Sequence, residues 1–538
     1  MKKLYYLSLL LNFSSLFAYH LSTPSSYATE AGANIFKQKG NAIDAIIAAS
    51  LTLNVSDPHM MGIGGGGIAL VWFKNKAYVI EHREESPAHF PAKDFLLQKM
   101  QLPYHEFTAL SSSVGVPGTV AGIGHLSKTF GRISWDKLFP DAIKHAKDGV
   151  TILPKAYVRL QENWIRLHNE AKKIFGEQGR ILSPSSKLVQ KDLARTLETL
   201  KKEKAGSFYY GNFGREWLKS AQTLGVSIDD SDLKEYKVRT PEPVTFNVFG
   251  VKGITVPPPS EGGIMVGAAL RYLEHHYKKL SIAPNSLHRV ITTAETLKEF
   301  AKFSKKNIGD LDSFNMPQFY GSAEEQKIWK TLDATLKIKL DALPKDIKAS
   351  TSRIPQKSTP ELGHTAHLIA IDDDSLVSYS TTIEQFYGSG HVPPGFGFLL
   401  NNELTDFDSE GPNIAEPKKR PRSSMAPTLF LKNNKPYLTV GCAGGMRIPW
   451  AIVELLENIF IFKMSIDEAM SYGRIYLHAD NTLEIEPQYA PQSLKLENFG
   501  YKVQLLDPVR TIAQACMKNP KGKAWKCVAD PRYHGTAF

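Results

Sequence analysis

A threonine follows the segment of the chain that has the composition of an exposed loop. Pro344 to Gly363 contains three prolines and several Ser, Thr and Lys residues, which is typical of an exposed and mobile segment, and Thr365 comes two residues later. A threonine hydroxyl is a weak nucleophile unless a base lies beside it, but the α-amine of an N-terminal threonine titrates at about pH 8 and can act as that base. This chemistry requires cleavage between His364 and Thr365. Thr365 is therefore a candidate nucleophile, although β-propensity alone also explains a threonine at the start of a strand.

Other residues supply chemistry that suits a substrate with an amino-acid end. Carboxylates bind an ammonium group, an arginine forks onto a carboxylate, and hydroxyls and free backbone N–H groups receive an anion. The candidates are Glu384, Glu403 and Asp406 for the ammonium group, Arg83, Ser423 and Ser424 for the carboxylate, and Gly444 and Gly445 for a developing negative charge. Each of them alone is more often a solvated loop residue, so the prediction depends on a fold that brings them together.

Two hairpins are predicted, one early in the chain and one at the candidate nucleophile. Alternating apolar residues around short polar turns predict strands at 68–73 and 77–80, and again at 367–371 and 376–382. Gly62, Gly64 and Gly67 formally match a dinucleotide-binding motif, but that motif requires a strand before it and a helix after it, and here the order is reversed. Close approach of two backbones is the alternative role for these glycines.

Periodicity predicts the other elements. Small and apolar residues recur at helical spacing from Ala28 to Val55, and residues 41–50 predict a tightly packed buried helix. Residues 257–263 are predicted as a loop that enters a helix. Further helices are predicted at 136–148, 187–203, 262–276, 291–308 and 449–462, and further strands at 396–400, 428–431, 437–441, 511–516 and 525–529.

The composition is that of a globular protein. Of the 538 residues, 42% are hydrophobic, 22% charged and 10% aromatic, and these values exclude a disordered, fibrous or polytopic membrane protein. At about 150 residues per domain, the length suggests three or four domains or one unusually large one. The net charge of +11 is compatible with nucleic acid, an anionic surface or solubility alone, so it identifies no partner.

The first residues have the features of a secretory signal. Lys2 and Lys3 precede an apolar run from Leu4 to Ala18, which is too short to span a membrane but suits the core of a signal peptide. We therefore predict a signal peptide at residues 1–18 and an exported protein, periplasmic or secreted. A buried first helix is the alternative. The sequence shows no other apolar stretch long enough for a membrane span.

The three cysteines, Cys442, Cys516 and Cys527, all lie in the last fifth of the chain. Their odd number excludes a disulfide framework, and their spacing excludes a CxxC-type zinc site. Cys516 and Cys527 are the expected pair if their flanking stretches are neighbouring strands, and packing as small core residues is the alternative. His364 and His367 have no third ligand at a suitable spacing, so neither a metal nor another cofactor is predicted.

A series of short motifs in a fixed order closely resembles the γ-glutamyltransferases, also called glutathione hydrolases, which belong to the N-terminal nucleophile superfamily. The resemblance runs from about Leu21 to Phe538, and so many ordered matches argue against chance. The motifs are Ala28-Thr-Glu-Ala-Gly32, Gly40-Asn-Ala-Ile-Asp44, Asp57-Pro-His59 with the glycine run, Arg83-Glu84, Ser113-Val-Gly-Val-Pro-Gly118, Pro257-Pro-Pro-Ser-Glu-Gly-Gly263, Leu400-Asn-Asn-Glu-Leu-Thr-Asp-Phe407, Arg420-Pro-Arg-Ser-Ser-Met425, Gly444-Gly445 and Ala529-Asp-Pro-Arg532.

The resemblance implies an α+β fold, a four-layer αββα sandwich, and a precursor that cuts itself. The products are a large subunit, residues 19–364, and a small subunit, residues 365–538, which together form one intertwined catalytic domain. In the implied reaction, glutathione or another γ-glutamyl amide forms a γ-glutamyl ester on the nucleophile. Water or an acceptor amino acid or peptide then takes the γ-glutamyl group.

The resemblance also implies roles for the candidate residues. Thr365 matches the nucleophile and the first residue of the small subunit, with cleavage between His364 and Thr365, and Thr382 matches a threonine whose hydroxyl supports it. An α-carboxylate clamp is implied for Arg83, Ser423 and Ser424, α-amino binding for Glu384, Glu403 and Asp406, and an oxyanion hole for Gly444 and Gly445. Such a preorganised pair of N–H groups contributes about 3–4 kcal/mol to transition-state stabilisation.

Three departures from the family pattern accompany the resemblance. The second of the two usual threonines at the cleavage site is Ala366, and the usual Ser-Pro before the oxyanion glycines is Cys442-Ala443, which removes a proline that would fix φ. The segment between residues 407 and 420 is shorter than in family members that fold a lid over the pocket. The sequence Thr382-Ile-Glu-Gln385 is also typical of members without this lid, the lidless type. We therefore expect an open pocket that admits bulky γ-glutamyl substrates.

Two other functions stay open at the level of sequence. A glutaryl-type acylase of the same fold would act on substrates without an α-amino group, which the three acidic residues disfavour. An unprocessed, non-catalytic binding homologue is the second alternative, if Ala366 blocks cleavage. Residues 418–422, Lys-Lys-Arg-Pro-Arg, resemble a nucleic-acid patch, but they occupy the Lys-Arg-Pro segment of the family in a protein predicted to be exported. No nucleic-acid partner is therefore expected.

Overall fold

The computed structural model describes residues 19–278, 280–310, 319–342, 365–506, 510–519 and 524–538. The predicted signal peptide, the segment from Pro344 to Gly363, and His364 lie outside the described residues. Within those ranges no helix is both long and apolar enough to cross a membrane. In the same ranges, no group of three or more His, Cys, Asp or Glu side chains is arranged to hold a metal ion.

The described residues form α-helices and mostly antiparallel strands. The helices are α1 (Ser26–Lys37), α2 (Ala42–Ser56), α3 (Ala92–Gln101), α4 (Tyr104–Phe107), α5 (Thr119–Phe130), α6 (Pro140–Asp148), α7 (Pro154–Asn163), α8 (Asn169–Phe175), α9 (Lys191–Glu203), α10 (Asn212–Gln222), α11 (Asp230–Glu235), α12 (Gly262–Tyr277), α13 (Leu287–Asn307), α14 (Ala323–Asp341), α15 (Ile448–Phe460), α16 (Ile466–Ser471) and α17 (Ser493–Asn498). The strands are β1 (His20–Thr23), β2 (Gly66–Phe73), β3 (Lys76–Glu81), β4 (Val150–Thr151), β5 (Gly176–Glu177), β6 (Arg180–Ile181), β7 (Lys187–Leu188), β8 (Val244–Val248), β9 (Val251–Thr255), β10 (Thr365–Ile371), β11 (Ser375–Thr382), β12 (Thr428–Lys432), β13 (Lys435–Ala443), β14 (Ile475–Leu477), β15 (Thr482–Ile485), β16 (Lys502–Leu505), β17 (Ile512–Lys518), β18 (Trp525–Ala529) and β19 (Thr536–Ala537).

Two six-stranded antiparallel sheets form the centre of the molecule. The strand order is β19-β1-β10-β11-β2-β3 in the first sheet and β18-β17-β13-β12-β9-β8 in the second. Both sheets combine strands from the two sides of residue 364, since β1 pairs with β10 and β9 pairs with β12. Each sheet therefore contains strands of both predicted subunits.

Side-chain alternation along β10 separates two hydrophobic cores. Successive residues of a strand point to opposite faces of the sheet. Ala366 and Leu368 belong to the core that contains α1 and α2, whereas Ile369 belongs to the core that the first sheet shares with the second. Thr365 and His367 are on the same face as Ile369, so they lie between the two sheets.

Helices cover the outer face of each sheet. Helix α2 packs on β10 and β11 of the first sheet, while α12 and α15 pack on β8 and β13 of the second. Residues 42–55 of α2 are all buried, which explains why this helix is apolar on every side. The order helix, sheet, sheet, helix confirms the predicted four-layer αββα sandwich of the α+β class.

The helical spacing over residues 28–55 belongs to two helices, α1 and α2. The break contains Lys39, whose φ of 64° lies in the left-handed region. Asn41 then caps α2: its side chain accepts a hydrogen bond from the Asp44 N–H, and the Asp44 carboxylate accepts one from the Asn41 N–H. Asn41 and Asp44 have the spacing of a capping box in the sequence. The apolar residues on both sides of them continue at helical spacing, so this spacing alone does not mark the helix start.

The predicted strand at 396–400 is wrong. Gly395 and Gly397 have φ values of 86° and 73°, which an extended strand does not allow, and a turn occupies residues 394–396. Leu400 alone pairs, in an isolated bridge with Gly64. The apolar run at 396–400 reflects burial of an irregular segment.

The remaining element predictions agree with the structure to within a few residues. Both hairpins are confirmed, as β2–β3 and β10–β11. The helix predicted at 187–203 begins at Lys191 because residues 187–188 form β7, and residues 135–138 form a 3₁₀ turn before α6. The other confirmed predictions correspond to α12, α13, α15, β12, β13, β17 and β18.

A disulfide bond joins Cys516 in β17 to Cys527 in β18. The two residues are directly opposite each other in neighbouring antiparallel strands, which is the condition on which the predicted pairing depended. Cys442 is free and buried, and burial raises the pKa of its thiol to about 12. Cys442 is therefore an inert core residue.

Candidate active site

Thr365 and Thr382 lie side by side at the ends of two neighbouring strands. Thr365 is the first residue of β10, Thr382 is the last residue of β11, and the two are directly opposite each other. Directly opposite residues place their side chains on one face of the sheet, so both hydroxyls face the second sheet. The Glu384 N–H donates a hydrogen bond of 2.9 Å to Thr382 Oγ1, which holds this hydroxyl next to Thr365.

Ala366, the departure nearest the predicted cleavage site, points away from Thr365. It is fully buried in the core formed with α1 and α2, on the opposite face of β10. A threonine at this position would direct its hydroxyl into that core. The substitution therefore leaves the groups around the Thr365 side chain unchanged.

A pocket of about 490 Å³ opens beside Thr365. Its lining contains Thr365, Thr382, Arg83, Glu384, Glu403, Asp406, Ser423, Ser424 and Gly445. These are the candidate residues of the described ranges except Gly444, which immediately precedes Gly445. The fold thus brings together residues that are far apart in sequence, as the sequence analysis required, while the role of each residue stays a prediction.

Gly444 and Gly445 form the turn that leads from β13 towards α15. Their φ values of 143° and 58° lie in the left-handed region that favours glycine. A Cβ on Gly444 would also lie 2.8 Å from Thr511 Cγ2 and 2.9 Å from the Arg510 carbonyl oxygen. Among the described residues, neither glycine N–H donates a hydrogen bond. Both donors are therefore available beside the pocket.

The residues before this turn lack the usual proline but are held by strand pairing. Cys442 is directly opposite Ala513, and Ala443 is directly opposite Ile512, in the β13–β17 pair. Both are buried. The ladder between β13 and β17 therefore fixes the backbone up to the glycine turn without a proline.

Three carboxyl groups gather on one part of the pocket wall. Glu384 follows β11, and Glu403 and Asp406 belong to one 3₁₀ turn. Removal from water raises the pKa of each carboxyl group above its ordinary value, and the Asp406 charge raises the pKa of Glu384 and Glu403 further. An ammonium group bound among them would favour the ionised forms.

Arg83 is bound by a carboxylate in this structure. Its side chain is fully buried, and its Nη2 donates to Glu403 Oε1 and, over 3.3 Å, to the Pro421 carbonyl oxygen. Its Nε lies 3.8 Å from Glu84 Oε2. Glu403 was predicted to bind an α-amino group, and Arg83 was predicted to bind an α-carboxylate. In this structure the two side chains bind each other.

Glu84 is a fully buried carboxyl group for which the sequence predicts no role. Neither of its oxygens accepts a hydrogen bond from the described residues. A Cβ on Gly66 would lie 2.4 Å from Glu84 Oε2, and Gly66 is directly opposite Thr382, so the carboxyl group lies on the same face of the sheet as the two threonines. Burial raises the pKa of Glu84 to about 7 although Arg83 acts to lower it.

Ser423 and Ser424 are held by the loop that enters α12. The Ser423 N–H donates to the Pro259 carbonyl oxygen over 2.9 Å, and the Glu261 N–H donates to the Ser423 carbonyl oxygen over 2.8 Å. Ser424 Oγ donates to Glu261 Oε1 over 3.2 Å. The loop predicted at 257–263 thus fixes the serine pair against the pocket.

Further charged residues line the pocket without having been singled out from the sequence; they include Arg422, Glu261 and Lys99. The Arg422 guanidinium lies 3.0 Å from Glu261 Oε2 and 2.9 Å from Asp408 Oδ2. Arg422 and Glu261 belong to two of the ordered family motifs. Their place in these motifs is the sequence feature that could have identified them as pocket residues. Lys99 on α3 donates to the Thr405 carbonyl oxygen over 2.9 Å, and no sequence pattern marks it.

Beyond Gly445, the lining residues Arg447 and His478 both contact Glu484. Arg447 Nε and Nη2 donate to the two Glu484 oxygens over 2.9 and 2.6 Å, and His478 Nε2 lies 2.8 Å from Glu484 Oε1. The Arg447 guanidinium also lies 4.4 Å from the centre of the Tyr476 ring. Arg447, Tyr476 and His478 all line the pocket.

Comparison with known proteins identifies the family. The family model for γ-glutamyltranspeptidase matches residues 28–538. The chain belongs to the γ-glutamyltranspeptidase family. A glutathione hydrolase proenzyme of Bacillus subtilis (strain 168) is 32% identical over 537 residues, which cover 96% of this chain and 91% of the relative. The resemblance seen in the ordered motifs is thereby confirmed.

Solved structures show the same fold. A cephalosporin acylase from Bacillus halodurans superposes with a TM-score of 0.83 and 22% identity over 97% of this chain and 96% of its own; at that identity the likeness concerns the fold alone. The Helicobacter pylori γ-glutamyltranspeptidase has a TM-score of 0.52 and 29% identity over 57% of this chain and 89% of its own. The pocket described above therefore lies in a γ-glutamyltranspeptidase framework.

The raised pKa of Glu84 predicts a pH-dependent stability for this transpeptidase-family protein. The folded state holds the Glu84 proton up to about pH 7, whereas an unfolded chain releases it at the ordinary value of 4.5. This stabilising contribution is fully present below pH 4.5 and is lost as pH rises to about 7. Glu84→Gln cannot ionise, so it should gain about 2–3 kcal/mol on wild type between pH 5 and pH 8, as measured by urea unfolding.

A matched substitution separates this effect from the general influence of charge. Glu216 is exposed on α10, so Glu216→Gln should change the unfolding free energy equally at both pH values. If Glu84→Gln and wild type lose stability in parallel as pH rises, the buried carboxyl group does not titrate as described.

Proposed function

We propose that the chain is a γ-glutamyl hydrolase and transferase that is activated by its own cleavage between His364 and Thr365. The observation that carries the proposal is the position of Thr365, which starts β10 opposite Thr382 in the wall of a pocket. The same pocket holds carboxylates, an arginine, a serine pair and a glycine turn. Membership of the γ-glutamyltranspeptidase family supports this reaction.

Self-cleavage begins with the Thr365 hydroxyl. Its oxygen attacks the carbonyl carbon of His364, the C–N bond breaks, and the amine takes up the proton, which leaves an ester between the two residues. Water then hydrolyses the ester, which frees the Thr365 hydroxyl and leaves a carboxylate on His364; the α-amine of Thr365 was already freed when the C–N bond broke. The large subunit (residues 19–364) and the small subunit (residues 365–538) stay joined as a heterodimer through the β1–β10 and β9–β12 pairs. The Bacillus subtilis relative is named a proenzyme, which supports this step.

After cleavage the α-amine of Thr365 acts as the general base. It accepts the hydroxyl proton as the Thr365 oxygen attacks the γ-carbonyl carbon of the substrate, and it passes the proton to the departing amine as the amide bond breaks. The N–H groups of Gly444 and Gly445 stabilise the tetrahedral oxygen by about 3–4 kcal/mol. Water, or the amine of an amino acid or peptide, then attacks the γ-glutamyl ester and restores Thr365.

The substrate class is glutathione and other γ-glutamyl amides. Their glutamyl end carries both an ammonium group and a carboxylate, and these can insert into the Arg83–Glu403 ion pair so that each buried charge keeps a partner of opposite sign. Arg83, Ser423 and Ser424 then bind the carboxylate. Glu384, Glu403 and Asp406 bind the ammonium group.

This exchange of partners disfavours the acylase alternative. A glutaryl group has the carboxylate but lacks the ammonium group. It would take Arg83 away from Glu403 and leave that carboxyl group buried without a cation, which is strongly unfavourable. The likeness to a cephalosporin acylase at 22% identity bears on the fold and gives this alternative no further support.

Export and an open pocket complete the proposal. The Cys516–Cys527 disulfide supports export, because such bonds persist in oxidising compartments, and the protein is then periplasmic or secreted.

The short segment at 407–420 folds back on itself through a bridge between Asp408 and Ile414. This supports the lidless type, in which bulky γ-glutamyl substrates reach Thr365.

Thr365→Ala should remain one chain and be inert, because it lacks the oxygen that attacks in both steps. Wild type should show two fragments on a denaturing gel, the smaller beginning at Thr365 by N-terminal sequencing, and should hydrolyse a γ-glutamyl anilide far faster than a glutaryl anilide. Thr365→Ser, which keeps a hydroxyl, should still be cut. An intact but active wild type would contradict the self-cleavage, and an intact, inert one would favour the non-catalytic binding homologue.

Gly444→Ala should lower kcat by roughly 10²–10³-fold, because a side chain at this φ moves the turn and misplaces the oxyanion donors. The control is Gly500→Ala: Gly500 also has a positive φ, of 85°, but a Cβ there meets no atom within 4 Å. Gly500→Ala should therefore affect stability without a matching loss of kcat. Equal kcat values for the two variants would argue against the role of the turn.

A further inference from the structure

His367 lies between the two sheets, two residues after Thr365. Residues two apart in a strand share a face, so the imidazole and the Thr365 side chain both face the second sheet. The His367 side chain is 1% exposed, and it is not part of the pocket lining. It therefore does not touch a bound substrate, and the reaction proposed above gives it no role.

The imidazole of His367 is fixed by two serines of the neighbouring strand. Its Nδ1 lies 2.8 Å from Ser380 Oγ, and its Nε2 lies 3.1 Å from Ser378 Oγ. A neutral imidazole has one nitrogen that donates a hydrogen bond and one that accepts. A serine hydroxyl can do either, so the two serines satisfy both ring nitrogens. Burial lowers the pKa of His367 to about 3, which keeps the ring neutral. The ring thus has a fixed orientation and carries no proton in the reaction.

The imidazole ring of His367 packs against the backbone of the second sheet. A Cβ on Gly441 in β13 would lie 2.1 Å from His367 Cε1, 2.2 Å from Nε2 and 2.4 Å from Nδ1. These separations are well below van der Waals contact, so any side chain at position 441 displaces the ring or the strand. The absence of a Cβ at Gly441 is what allows the imidazole to sit against this strand.

The contact is close in sequence to both reacting groups. His367 is two residues from Thr365, and Gly441 is three residues from Gly444, so at a rise of about 3.3 Å per residue the contact lies about 7 and 10 Å along its strands from these groups. The thickness of the ring therefore influences how far the Thr365 hydroxyl stands from the glycine N–H groups on the facing strand.

We propose that His367 is a positioning residue: by resting on Gly441 it sets the separation between Thr365 and the Gly444–Gly445 turn. The proposal rests on the proposed function, in which Thr365 attacks and the turn stabilises the oxyanion. A misplacement of about 1 Å lowers the rate by about 10²-fold. The effect appears in kcat, because the residues that hold the glutamyl end are separate from this contact.

A pair of complementary substitutions tests the contact. Gly441→Ala should lower kcat on a γ-glutamyl anilide by about 10²-fold and leave KM within about threefold. His367→Ala should also lower kcat, because the strands lose their spacer. In Gly441→Ala/His367→Ala the new methyl group occupies space left by the ring, so kcat should recover to at least about tenfold above that of Gly441→Ala. The rate at which the precursor cuts itself should follow the same order.

Gly253→Ala is the matched control. Gly253 lies in β9 of the same sheet, and a Cβ there would lie 2.4 Å from the Phe246 ring, so the substitution creates a similar overlap away from the pocket. It should lower stability but leave the kcat of the folded protein within about twofold of wild type. A loss of kcat as large as that of Gly441→Ala would show that crowding alone explains the effect.

The double variant decides the proposal. A double variant no more active than Gly441→Ala overturns the spacer role, and so does an undiminished kcat in Gly441→Ala. If Gly441→Ala does not fold, a double variant that folds and cuts itself supports the contact, and one that also fails to fold overturns it. Thr365→Ala provides the separate test of the reaction: failure of the rescue while Thr365→Ala stays inert removes only the role of His367.

Discussion

The antiparallel pairing of β10 with β11 is the constraint on which the rest of the site depends. It places Thr365 directly opposite Thr382. The neighbouring pair, β11 with β2, places Thr382 directly opposite Gly66. The three positions share one face, so two hydroxyls and the Glu84 carboxyl group above Gly66 are aligned between the sheets. Because β10 begins at Thr365, this pairing would also hold in place the chain end that the proposed cleavage creates.

Buried charge is the second feature of the site, and it suits a zwitterionic substrate end. Arg83 and Glu403 neutralise each other out of contact with water, and Glu84, Glu384 and Asp406 lie within electrostatic range of them. Removing these charged groups from water is unfavourable unless each of them has a partner of opposite charge. An ammonium group and a carboxylate that enter together meet this requirement, whereas either one alone does not.

The local elements were predictable from sequence, and the long-range contacts were not. The β10–β11 hairpin follows from alternation and a polar turn, and the pocket residues followed from ordered motifs. The Arg83–Glu403 pair and the contact of His367 with Gly441 join positions that no periodicity relates. The wrong strand at 396–400 has a similar cause, since burial in an irregular segment leaves the same apolar signature as a strand. These contacts and the shape of the 396–400 segment depend on tertiary packing, which local sequence patterns do not encode.

The central claim is that Thr365 carries the γ-glutamyl group between donor and acceptor. The most direct measurement is the mass of the small subunit after rapid acid quenching during turnover of a γ-glutamyl anilide, followed by fragmentation of its N-terminal peptide. The account predicts an added γ-glutamyl group on the peptide that begins at Thr365, absent when substrate is omitted and lost as turnover ends. A γ-glutamyl group on another residue, or turnover by an enzyme in which Thr365 is never modified, would contradict it.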